Sequence, residues 1–137
     1  MSTGPGLVAL VDARAKASAV LEAAFVAKPE IGANVVGPLD AIDPPVVRVG
    51  WAEPWLEPFG RGPLVYARLE CFCIGDRIEA EEGYQTVEAL VSVVLSTFAS
   101  DSYPWPIAFV GAPRSYDVGG KMYLAAQVVA RLPAGTD

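Results

Sequence analysis

Apolar positions recur along the chain at two spacings, and the spacing changes where proline and glycine interrupt it. Between Leu7 and Lys28, the residues Leu7, Val11, Ser18, Leu21 and Phe25 are separated by three, four or seven positions. A helix puts them on one stripe and turns Asp12, Lys16 and Glu22 away from it. Pro29 ends that helix, because proline disfavours helical backbone at the residue before it. A second helix is predicted from Glu79 to Ala99, with Tyr84, Val87, Val91, Val94, Leu95 and Phe98 on its buried stripe. Glu79, Glu81 and Glu82 crowd its first turn, where carboxylates favour the positive end of the helix dipole. Ser100, Asp101 and Ser102 close it, and Pro104 prevents a restart.

Elsewhere the period is two. Leu64 to Ile74 is the clearest strand: Val65, Ala67, Leu69, Cys71 and Cys73 share one face, and Tyr66, Arg68, Glu70, Phe72 and Ile74 the other. Lys121 to Leu132 repeats the pattern, with Met122, Leu124, Ala126, Val128, Ala130 and Leu132 opposite Lys121, Tyr123, Ala125, Gln127, Val129 and Arg131. Val46 to Val49 and Pro106 to Ala112 read as further strands, and Asn34 to Leu39 as a short irregular one. Trp51 to Pro63 reads as a loop, because its proline and glycine density opposes a regular ladder. Two long strands with one dry and one mixed face predict an α+β two-layer sandwich. An antiparallel sheet of about four to five strands would carry both helices on its dry face. The whole chain reads as one domain, with Met1 to Gly6 as a flexible lead.

Composition sharpens this picture in one respect. Hydrophobic residues make up 53% of the chain and charged residues 19%, against about 25% charged in an average soluble domain. A chain of 137 residues buries roughly 68% of its unfolded surface, so part of this apolar surplus is expected to be covered by other protein. The net charge is -6, and the ten basic residues never cluster along the sequence. That opposes a protein that grips nucleic acid through its phosphates and is compatible with one that lets it pass. Apolar stretches are broken by Asp12, Arg14, Lys16, Glu22 and Glu88, short of the ~20 residues of a membrane span. Met1 to Gly6 lacks the basic start of a secretory leader. Cys71 and Cys73 sit two apart on one strand face, an awkward geometry for a disulfide, and read as reduced, buried core residues.

Candidate chemistry is sparse. The chain has no histidine, which removes the commonest general base and the Ser-His and Cys-His nucleophile pairs. No catalytic role, metal or cofactor is expected. Asp40 and Asp43, flanked by proline and glycine, read as turn residues, and Glu79, Glu81 and Glu82 as a solvated helix start. More suggestive are the aromatic clusters. Trp51, Trp55 and Phe59, interleaved with Glu53 and Glu57, either cap the core at a sheet edge or form an anchor for a partner. Trp105, between Pro104 and Pro106, offers the same choice. The mixed strand face with Tyr66, Arg68, Glu70, Phe72, Tyr123 and Arg131 is either solvent surface or a contact between subunits. A small-ligand domain with an aromatic pocket near Trp51 and Trp105 is the alternative of a different class.

Taken in order, these elements resemble the tail terminator proteins of long-tailed bacteriophages, especially those infecting actinobacteria. The similarity lies in an Ala-rich first helix, the run Pro44-Pro-Val-Val-Arg-Val49 and the Trp and Pro segment Trp51-Ala-Glu-Pro-Trp-Leu-Glu-Pro58. It continues through Arg68-Leu-Glu70, the acidic-capped helix, and Gly119-Gly-Lys-Met-Tyr-Leu-Ala-Ala126, and spans residues 30 to 132. These are patterns of fold more than of chemistry, and small ring proteins of the phage neck share the size and composition. The resemblance implies a homohexameric ring in the virion, assembled in the host cytoplasm and seated on the last ring of the tail tube protein. Such a ring stops tube polymerisation, docks to the head connector and lets genome DNA through its lumen. Another head–tail joining protein of the phage neck is the nearest alternative. A closed ring needs two different patches per copy, and the mixed sheet face and the Trp51 to Phe59 segment are the candidates.

Overall fold

The computed structural model describes residues 9–58, 64–77, 80–100 and 105–135. Within them the chain forms α1 (Ala9–Val26), β1 (Asn34–Val36), β2 (Val46–Pro58), β3 (Leu64–Arg77), α2 (Ala80–Phe98), β4 (Ile107–Val110), β5 (Arg114–Val118) and β6 (Lys121–Gly135). One six-stranded sheet runs β1-β2-β3-β6-β4, with β5 also paired to β6, so that β4 and β5 follow one another along the same side of β6. Both helices lie on one face, α2 over β3 and β6 and α1 over β1 and β2. The architecture is the expected α+β two-layer sandwich with more strands than expected, and it is mixed: β1 pairs β2 in parallel, while the other pairs are antiparallel.

The layer between helices and sheet is dry. Leu10, Ala17, Leu21 and Phe25 of α1 and Leu90, Val93, Val94 and Phe98 of α2 pack on Val47, Val49, Leu69, Cys71, Val128 and Ala130. The α1 stripe keeps Leu21 and Phe25 of the expected set but runs through Leu10 and Ala17, leaving Ser18 half-buried. With alanine on every side of α1, the sheet beneath selects the face, because a small side chain buries at little cost in any direction. On α2 Tyr84 leaves the expected stripe and is exposed, its hydroxyl donating to Pro113 O at 3.2 Å. At the C-terminal end of α2, Thr97 Oγ1 donates back to Val93 O (2.7 Å) and Ser100 Oγ meets the terminal carbonyl of Thr97 (2.8 Å).

Two expectations for the strands are corrected. Trp51 to Pro58 is strand, the second half of β2, not loop. It lies beyond the end of β1, which pairs only Val46 to Arg48, so this half of β2 is bordered by β3 alone and its prolines meet the demands of one neighbouring strand, not two. A bulge between Trp51 and Leu56 absorbs the irregularity. The stretch after α2 is two short strands, β4 and β5, rather than one strand and a loop. Gly119 and Gly120 (φ 61° and 84°) make the two-residue turn from β5 to β6, a left-handed pair that glycine adopts without strain. Gly120 N donates to Asp117 Oδ1 at 2.9 Å.

Candidate functional site

The sheet face away from the helices collects most of the residues expected at an interface. Register decides this. Arg68 stands opposite Arg131, Glu70 opposite Val129, Phe72 opposite Gln127 and Ile74 opposite Ala125 across β3 and β6. On β2, Arg48 stands opposite Phe72 and Gly50 opposite Glu70, and on β5 Tyr116 stands opposite Tyr123. This outer face has two halves.

One half is apolar. Val46, Phe72, Ile74 and Ala125 form a small cluster of their own, flanked by Val36, Ile42, Tyr116, Val118 and Tyr123. Phe72 is 7% exposed and meets Tyr116 edge-on at 4.8 Å and 88°, an aromatic geometry favoured by ring quadrupoles. The segment between β1 and β2 lies over this half. A side chain at Gly50 would come within 3.3 Å of Pro38, so glycine permits that approach. Asp40 accepts from Gly37 N at 2.7 Å, which makes it the expected turn residue. Tyr123 therefore belongs to a covered cluster and is half-buried, not presented freely.

The other half is polar and less covered: Tyr66, Arg68, Glu70 and Gln127 are half-buried and Arg131 is exposed. Arg68 and Arg131, like charges side by side, turn in different directions. Arg131 passes over the ring of Tyr66 (4.8 Å) to an ion pair with Glu57 (2.9 Å). Arg68 donates to Pro54 O at 3.1 Å. Gln127 Nε2 donates to Glu70 Oε2 across the strands. Two arginines that sequence reading did not select complete the face: Arg48 lies over Phe72 (5.6 Å), and Arg114 over Tyr116 (5.0 Å), donating to its hydroxyl at 2.9 Å. Basic residues that are thinly spread along the sequence are thus gathered, Arg48, Arg68, Arg114 and Arg131 sharing one face. Strand alternation through Val46 to Val49 makes Arg48 legible as an outward residue; Arg114 was hidden because its strand read as a loop.

The tryptophans are not on this face. Trp51 stands opposite Leu69, on the helix side, and packs from a half-buried position against the main core. Trp55 stacks on it (5.9 Å, 40°) and remains 41% exposed at the sheet edge. The capping and anchoring readings thus divide between neighbours, Trp51 taking the first and Trp55 left open to the second. Trp105 rests on Phe98 (5.5 Å) beside the core, a capping position. Phe59 lies outside the described residues.

Cys71 and Cys73 are free thiols, fully buried on the helix side of β3. Burial pushes Cys73 up to about 12. Burial also holds Cys71 well above the usual thiol range, with the neighbouring Cys73 and Glu70 adding to it. Among the described residues no group of three or more Cys, Asp or Glu side chains is placed to hold a metal ion, and no helix is long and apolar enough to cross a membrane. What the site offers is a surface of guanidinium groups lying over aromatic rings, with two carboxylates among them, and beside it an exposed indole at the sheet edge. Such a surface binds by area and complementarity. Comparison with known families finds no matching family model, and no curated protein matches the chain.

Proposed function

We propose that the chain is a virion structural protein that assembles into a ring. The ring caps the tail tube of a long-tailed bacteriophage, ends its polymerisation and joins the tail to the head connector. The order of elements supports this reading through its likeness to tail terminators. The observation that carries it is the two-sidedness of the sheet: one face is sealed by both helices, while among the described residues no helix covers the other, which carries half-exposed Tyr66, Arg68 and Glu70 and exposed Arg131. Aromatic and arginine side chains are the residues enriched where protein surfaces meet. Exposed Trp55 and Phe109 add apolar area outside the core. The roles proposed, self-assembly and docking, draw on surface and not on a reaction.

Native mass spectrometry of the purified chain, alone and mixed with tubes polymerised from a phage tail tube protein, tests this. The expected result is a closed ring of one size in at least one of the two settings, seated at tube ends by electron microscopy. A monomer that ignores the tubes overturns it.

A further inference from the structure

Among the described residues the sheet has two edges with no further strand, and each carries a different, complementary feature. At one edge the second half of β2 projects Trp55, braced by Trp51, with Arg68 bonded to Pro54 O beside it. At the other edge a groove of about 530 Å³ runs between α2 and the β4–β5 junction. Val91, Leu95, Val110, Ala112 and Pro113 line it, with Glu88 among them. Register places the two features on one line. Trp51 stands opposite Leu69, Leu69 opposite Ala130, and Ala130 opposite Ile107, so a single row of the sheet leads from the indole pair to the strand that borders the groove.

We infer that the groove receives Trp55 of a second copy, edge to opposite edge, so that each copy is both donor and acceptor. The inference rests on the ring reading and assigns its copy-to-copy contact. Charge selects a second copy as the occupant. Arg68 reaches a carbonyl, not a carboxylate, among the described residues. The exposed side of α2 carries Glu81, Glu82 and Glu88, and the helix holds no lysine or arginine. An arginine arriving with the indole therefore meets the Glu88 carboxylate in the groove, on a helix whose other charges, Glu81 and Glu82, are also negative. The apolar match points the same way: a tryptophan carries a large apolar area, and the groove offers Val91, Leu95, Val110 and Pro113 to cover it. A contact joining unlike patches is heterologous, and it closes into a ring where the rotation between copies closes. Glu53, exposed in the same bulge, opposes the acidic groove, so its neutralisation strengthens the contact.

Trp55→Ala, Arg68→Glu and Glu88→Arg, each confirmed folded by circular dichroism, are compared with the unaltered chain by native mass spectrometry, alone and with tail tubes. Each is expected to weaken ring formation by at least about 30-fold in association constant, the scale of a central anchor. Glu53→Gln is expected to tighten it, and the swap R68E/E88R to recover the association that either single change weakens. Rings that form equally well in all variants overturn this contact and leave the ring reading standing. Variants that form rings normally but fail to seat on tubes also overturn it, because the groove then receives the tube protein. An unaltered chain that stays monomeric in both settings overturns the ring reading and this contact with it.

Discussion

Cys71 and Cys73 are titratable groups that the fold takes fully out of water. Both thiols lie in the dry layer, where a thiolate has neither water nor a cation to stabilise it. Native protein is therefore expected to react with a thiol-specific disulfide reagent only as fast as it unfolds, while denatured protein reacts at once; a native reaction at the free-thiol rate would contradict the burial. The same shift links stability to pH. The unfolded chain releases these protons near the ordinary thiol value of 9.0, whereas folded Cys73 keeps its own up to about 12. Over that window the native state holds more protons than the unfolded one, so stability is intact below it and falls as pH rises through it. The slope is at most about 1.4 kcal/mol per pH unit for each thiol. Denaturant midpoints at a series of alkaline pH values, set against a C71A/C73A variant that lacks these thiol protons, isolate the effect from lysine and tyrosine. Gly75 acts through shape instead. An added Cβ there would stand 2.8 Å from Val87 Cγ2, and Val87 is fully buried and branched at that carbon. Gly75→Ala is expected to cost about 1–3 kcal/mol and, combined with Val87→Ala, less than the sum of the two single changes, as chemical denaturation would measure.

At the scale of elements, the outer sheet face is held by its aromatic half and not by its ions. The Arg131–Glu57 pair has side chains 44% and 30% exposed. Arg131→Ala is therefore expected to cost below about 1 kcal/mol. Phe72, nearly buried and edge-on to Tyr116, is expected to cost about 3 kcal/mol or more as Phe72→Ala. Thermal or denaturant unfolding of the two variants checks the order; equal losses would mean that the polar half is far stiffer than its exposure suggests. This division was half legible in the sequence. Strict alternation through Leu64–Ile74 and Lys121–Leu132 told which residues share a face, and both helices stand within two residues of their expected ends. Register was not legible, so neither the juxtaposition of Arg68 with Arg131 nor the convergence of Arg48, Phe72, Tyr116 and Arg114 was available beforehand. The prolines of β2 misled because their meaning depends on whether a neighbouring strand needs the missing N–H, and β1 stops too early to need it. Parallel pairing of β1 with β2 escaped for a related reason: the connection between them is short and has no helix, the usual sign of a parallel return.

For the whole molecule the sheet order matters most. β3 and β6 lie at its centre, each paired along nearly its full length, whereas β4 and the second half of β2 are bordered on one side only. Central amides are therefore expected to be protected from hydrogen exchange in the free chain already, and to exchange only through global opening. Assembly can add protection only at the edges, and the pattern distinguishes two symmetries. A two-fold contact uses the same patch on both copies and shields one edge alone, whereas a head-to-tail contact shields two different edges in equal number. The expected outcome is that amides of Ile107–Val110 and of Ala52–Glu57 slow together, with the same dependence on protein concentration, while those of β3 do not change. Slowing at one edge without the other would point to a paired arrangement of copies, which cannot propagate around a ring from a single kind of contact.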